Sequence, residues 1–211
     1  MKCCKRRVCH YPPTELAGWV LQASEMVMDG GYTSLKAEVS MTLAEALAQL
    51  GAWCDRSRGE PIEIAAGITG SFQSRGTYSD MPVREIEREL DFKLPSAYYD
   101  FMEVVGESSL FGWSPSGGHW YFYNPIQVIE VSLQWATAQP DVERFCFVGE
   151  HRCMGDMMGF CIDRPGPSNF DIFCHEYPFE EYVSVSDEIS SWREFGPYLT
   201  GVVSRFGKDS L

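Results

Sequence analysis

The clearest hydrophobic pattern in the chain lies between residues 81 and 106, MPVREIERELDFKLPSAYYDFMEVVG. Val83, Ile86 and Leu90 recur three and four residues apart, while Arg84, Glu85, Glu87, Arg88 and Glu89 fill the other side, which predicts a short amphipathic helix with one apolar stripe. Pro95 lacks an amide hydrogen and restrains the residue before it from helical geometry, yet its fixed φ suits a first helical turn. The Leu94-Pro95 step therefore ends one helix and opens the next. The second helix carries Ala97, Tyr98, Phe101, Met102 and Val105 as a wide apolar arc that Gly106 can terminate. The two stripes are expected to share one core.

On the amino-terminal side, Thr14 can cap a helix reaching about Asp29, which Gly30 and Gly31 stop. A further helix is expected from Thr42, whose spacing to Glu45 is that of a capping box, with Leu43, Ala46, Leu47, Leu50 and Trp53 on its buried side. Ile62, Ile64 and Ile68 predict a strand or buried edge, and residues 70–80 a polar loop. Beyond Gly106 the pattern shortens. Residues 110–113, HWYFY, 145–148, 158–163 and 170–175 read as strands, and NPIQVIEVSLQWA as sheet or a short helix edge. GEHRCMGD and RPGPSN are turns, and a last helix is expected from Ser186 or Asp187 through Ile189, Trp192, Phe195 and Tyr198. Chain reversals every eight to twelve residues favour an antiparallel, meander-like sheet packed with helices, an α+β fold. The expected organisation is a basic cysteine-containing tail (1–13), a helical extension packed on the core (14–80) and an α+β domain (81–211).

Composition changes this picture mainly through charge. An apolar fraction of 45% with 14% aromatic residues belongs to a folded globule. Of the net charge of −13, the first 13 residues contribute four basic and no acidic side chains, so the remainder holds 13 basic against 30 acidic groups, or −17. That excess repels a phosphate backbone, makes nucleic acid an unexpected partner and favours a basic protein. No apolar run approaches the roughly 20 residues that cross a bilayer, and the basic start is not followed by an uninterrupted apolar segment, so a cytoplasmic protein is expected.

The eight cysteines are too sparse and, at Cys3 and Cys4, too close for a disulfide framework. Cys146, Cys161 and Cys174 sit in apolar runs and are expected to pack as small hydrophobes. Cys3, Cys4, Cys9 and His10 lack the usual zinc-ligand spacing; Cys3 and Cys4 beside Lys2, Lys5, Arg6 and Arg7 have the composition that acylation would use, but a frayed terminus is the expected reading of this segment. GITGS lacks the Lys-Ser/Thr of a phosphate loop. An enzyme would have to be built from the turn that holds His151, Cys153 and Asp156, or from a Cys-His pair drawn from Cys153, Cys174, His151 and His175 with Asp171. Within a strand, neighbours such as Cys174 and His175 face opposite sides. No catalytic residue, metal or cofactor is expected.

From residue 81 to 199 the order of elements resembles the SUKH superfamily, the fold of the yeast Smi/Knr cell-wall regulators and of many bacterial immunity proteins. The resemblance is carried by IEREL-DFKLPSAYYDFMEVVGES, FGWSPSGGHW, CFVGEHRCMGDMMGFCIDRPG, NFDIFCH and VSVSDEISSWREFGPYL. Leu90-Asp91-Phe92 stands where the family usually has a glycine-containing pair, and Gly155-Asp156-Met157 only partly matches its Gly-Asp-Gly. The resemblance implies a scaffold that acts by binding: an immunity protein that neutralises a polymorphic toxin, nucleases included, or a regulatory scaffold. The runner-up of another class is a metal- or cysteine-dependent enzyme using residues 151–156. For an immunity protein, the expected partner contacts are Glu150 and Asp156 as an acidic rim and Trp113 and Trp120 as aromatic anchors, facing a basic toxin domain.

Overall fold

The computed structural model describes residues 41–112, 119–152 and 154–207, so the helix expected over 14–29, the tail, Trp113 and Cys153 lie outside the described residues. Among the described residues the elements run α1 (Leu43–Ser57), β1 (Pro61–Ala65), β2 (Ile68–Gly76), α2 (Asp80–Leu90), α3 (Ser96–Val104), β3 (Glu107–Gly112), β4 (Trp120–Phe122), α4 (Pro125–Ala138), β5 (Phe145–His151), β6 (Asp156–Cys161), β7 (Phe170–Phe173), a 3₁₀ turn (Phe179–Glu181), α5 (Tyr182–Glu188) and α6 (Phe195–Ser204). The seven strands form one antiparallel sheet in sequence order, each paired with its predecessor. This is the expected α+β meander packed with helices. Its first two strands come from residues 61–76, so the boundary drawn at residue 80 falls inside a continuous sheet rather than between an extension and a domain.

The corner at Leu94-Pro95 is held by a side chain. Asp91 ends α2 in the left-handed region, and the Glu87 carboxylate then accepts the Leu94 amide at 3.0 Å and the Lys93 ammonium at 2.8 Å. Burial acts most strongly on Glu87 and alone would raise its pKa, but the bonds that Lys93, Leu94 and Tyr99 donate to it together outweigh burial and hold the carboxyl below its ordinary 4.5. Pro95 sits one position before α3, as its N-cap. Gly106 follows α3 at φ 64°, and a Cβ there would lie 2.0 Å from the Gly76 carbonyl oxygen, so only glycine lets β2 pass so close.

One face of the sheet carries Phe72, Trp120, Phe122, Cys146, Val148, Phe160 and Phe170 into a core completed by Leu47, Leu50 and Trp53 of α1, Val83 and Ile86 of α2, Tyr98, Phe101 and Met102 of α3 and Leu199 and Val202 of α6. Where β2 meets β3, Leu110 and Phe111 together oppose Phe72, and Phe111 takes φ 56°. This bulge turns two consecutive apolar side chains inward instead of one. Among the described residues, the opposite face is covered only in part. Phe145, Phe147, Cys161 and Phe173 meet Phe179 and Tyr182 from the 3₁₀ turn and α5, with Trp135 of α4 stacked on Phe179 at 4.9 Å.

Three expectations are corrected. Residues 70–76, expected as loop, continue β2, because the Ser/Gln/Arg side chains belong to a strand with one solvated face rather than to a turn. NPIQVIEVSLQWA belongs to a helix, the 14 residues of Pro125–Ala138, opened by a capping box between Asn124 and Gln127 with Pro125 at its first turn. It lies beside the amino-terminal half of β5, where β4 has already ended, and the Ser132 hydroxyl accepts the Phe147 amide at 3.0 Å in place of a strand partner. The expected return helix is split into α5 and α6, with Ser190 in the left-handed region between them.

Candidate functional site

The cross-strand register places Gln73, Ser109, Tyr121, Glu150, Met157 and Phe173 in one row on the second face of the sheet. Phe173 lies under α5 and the 3₁₀ turn, but towards Tyr121 the described residues supply charged side chains rather than the apolar stripe of a helix. Period-two geometry explains the composition: Trp120 and Phe122 of β4 point into the main core, so Tyr121 must point away from it.

Tyr121 organises this face. Its hydroxyl donates to Glu107 Oε1 at 2.7 Å, and the guanidinium carbons of Arg152 and Arg75 lie 3.9 Å and 5.3 Å from its ring centre. Tyr123 crosses it edge to face at 5.6 Å and donates to Glu150 Oε2 at 3.3 Å; Glu150 in turn pairs with Arg152 at 3.4 Å. Glu107 Oε2 also accepts from the Tyr78 hydroxyl and the Asn124 amide. Burial first, and the neighbouring Glu107 and Glu150 carboxylates second, push the phenols of Tyr121 and Tyr123 above their ordinary value. Both remain protonated donors at neutral pH. Tyr121 and Tyr123 are themselves 4% and 7% exposed, so what this cluster offers a partner is the partly exposed Arg75, Arg152 and Glu150, held in place by the buried rings beneath them. The local charges balance, two carboxylates against two guanidiniums, so the negative field comes from elsewhere on the molecule.

Beside this face, His119 Nε2 lies 2.9 Å from the Ser109 hydroxyl. Its pKa is held below 6.5 by burial first, then by the Arg152 and His151 charges.

Of the described residues expected to form a partner surface, the structure brings only Glu150 to this face. Trp120 is 1% exposed and packs against Phe111 and Tyr198 in the core, which corrects its expected role as a rim anchor. Asp156 pairs in register with His151, one position beyond Glu150, and so lies on the opposite face; Glu150 and Asp156 do not form one acidic rim. The alternation in HWYFY separates Tyr121 and Tyr123 from Trp120 and Phe122, but the convergence of Arg152 and Arg75 on Tyr121 depends on strand register, which spacing does not encode.

The described cysteines of the core offer no activated nucleophile. Burial pushes the Cys54 thiol up to about 12 and raises those of Cys146 and Cys161 as well, so all three stay protonated. A shallow depression at the α2–α3 corner is lined by Arg84, Glu87, Arg88, Asp91, Phe92 and Lys93. Its cations are engaged with Asp80, Glu85, Glu89 and Glu87. Among the described residues, no helix is long and apolar enough to cross a membrane. Compared with family models, curated proteins and solved structures, the chain finds no match.

Proposed function

We propose that this protein is a non-enzymatic, cytoplasmic protein-binding module that engages its partner through the Tyr121 face of the sheet. The observation that carries the reading is the Tyr121, Tyr123, Arg75 and Arg152 cluster, where stacked aromatic and guanidinium groups are held in place by Glu107 and Glu150. Ordering these side chains before the partner arrives lowers the entropy cost of association. Protonated phenols and buried, protonated thiols suit recognition better than nucleophilic chemistry. The SUKH resemblance extends the proposal: the module is an immunity protein that neutralises a polymorphic toxin by direct binding. Net charge of −13 would speed its encounter with a basic toxin domain such as a nuclease.

The test is co-expression with the toxin domains encoded next to its gene. A partner should co-purify with the protein and cells should be rescued from that toxin, with an association rate that falls as salt rises. Neither rescue nor a complex with any neighbouring toxin would remove the immunity reading.

A further inference from the structure

Cys174 and His175 do not behave as strand neighbours, because β7 ends at Phe173. The chain turns there, with the Tyr177 amide donating to the Cys174 carbonyl at 3.1 Å, and a turn frees adjacent side chains from opposite-face geometry. Both therefore approach Asp156, the first residue of β6. One donor atom from each of Asp156, Cys174 and His175 lies within 4.8 Å of the other two. We infer that these three residues form a site for a divalent transition ion, zinc foremost, at the end of the sheet where β7 leaves β6.

The donor chemistry selects the ion. Thiolate, imidazole and carboxylate together suit a borderline-soft cation, whereas magnesium and calcium take oxygen donors. Zinc bond lengths place neighbouring donors about 3.3–3.8 Å apart in a tetrahedron, so the widest separation has to close by up to about an ångström while the His175 Nδ1–Asp156 Oδ1 pair at 2.7 Å opens. His175, whose side chain is 47% exposed, has the freedom to do so.

The state of Asp156 supports the assignment. It is 8% exposed, and its ion-pair partner among the described residues is His175 rather than a lysine or arginine. The His175 amide donates to Asp156 Oδ1 at 3.0 Å, and the ring Nδ1 lies 2.7 Å from the same oxygen. The imidazole nitrogen that faces Asp156 is therefore Nδ1, and an ion bound through Nδ1 and the carboxylate would take the place of the proton between them, while Oδ2 receives no hydrogen bond from a described residue. The other buried carboxylate of this region, Asp171, contrasts with it. Arg193 and Ser191 donate to Asp171, so that carboxylate already has its counter-charge. A cation among Asp156, Cys174 and His175 would supply Asp156 with the same compensation and would pin the turn after β7 to the start of β6. Three protein donors leave a fourth position for water or for a side chain of a partner.

This inference stands independently of the Tyr121 face, and its test needs no partner. Cobalt(II) is titrated into the metal-free, reduced full-length protein, with zinc as competitor. The expected result is a thiolate-to-cobalt charge-transfer band that saturates at one equivalent and is removed by zinc. Cys174→Ser should abolish the band, and His175→Gln and Asp156→Asn should each weaken binding at least about tenfold. Circular dichroism checks the fold of each variant. Cys174 and His175 sit outside the strands, so Cys174→Ser and His175→Gln keep the test decisive even if Asp156→Asn fails to fold. Absence of the band, or a band unchanged in Cys174→Ser or His175→Gln, would overturn the site.

Discussion

Replacing Phe101 by alanine tests the shared core of α2 and α3. Phe101 is fully buried and its ring centre lies 4.5 Å from Phe122, 5.8 Å from Phe195 and 6.4 Å from Tyr98. Those three rings belong to β4, α6 and α3 and are themselves wedged among other aromatics, so the gap left by truncation cannot close by small side-chain movements. The loss should therefore reach about 3–5 kcal/mol, of the lost transfer energy and the residual cavity together. That is a large share of the 5–15 kcal/mol typical of a domain. Urea unfolding followed by circular dichroism reads it directly: at a slope of about 2 kcal/mol/M the midpoint should fall by about 1.5–2.5 M. Val104→Ala, three residues on and 43% exposed, should stay within about 0.5 kcal/mol of the parent. A loss under about 1 kcal/mol for Phe101→Ala would refute the assignment of this helix face.

Further expectations concern single polar groups. Glu87→Ala removes the acceptor that holds the Leu94 amide and should cost about 1–3 kcal/mol. Because the Glu87 pKa is lowered on folding, its contribution is complete above 4.5 and is lost as pH falls through the lower folded value; the variant should show a flatter acid limb in equilibrium unfolding. Arg193→Met strands the buried Asp171 carboxylate and should cost about 3–5 kcal/mol in the same assay. His119, with its pKa below 6.5, should titrate late in a proton NMR series. The folded state binds fewer protons there than the unfolded chain, so stability is full above pH 6.5 and declines as pH falls below it. His119→Gln should remove that part of the pH dependence.

The helices and most strands were legible because their signals are local. Val83, Ile86 and Leu90 are buried as their period required, and Thr42 and Glu45 form the expected capping box. The misread segment, 125–138, carries Ile126, Val128, Ile129 and Val131, whose β-branched side chains point to strand. The decisive signal was at its edge, where Asn124, Pro125 and Gln127 specify a helix start. Polar β2 was obscured for a different reason: only one face of that strand meets the core, so hydropathy marks few of its residues. The site was the least legible part. Tyr121 meets Arg152 and Glu107 only after β3, β4 and β5 are aligned, and Asp156 meets Cys174 and His175 only because β7 stops one residue before the pair. Sequence spacing encodes neither event.

The most direct measurement of the central claim is calorimetry of a co-purified toxin domain against variants of the Tyr121 face. Glu150→Lys replaces the acceptor of Tyr123 and Arg152, and Arg152→Ala uncovers the Tyr121 ring; both side chains are about one-third exposed, so the fold should survive, which circular dichroism verifies. A hot spot at this position predicts a loss of affinity of at least about 30-fold for each, corresponding to 2 kcal/mol. Glu103→Lys, exposed on α3, which packs against the other face of the sheet, provides the same charge change away from the Tyr121 row and should alter affinity by less than about threefold. Equal, small effects from all three variants would contradict the Tyr121 face as the binding surface.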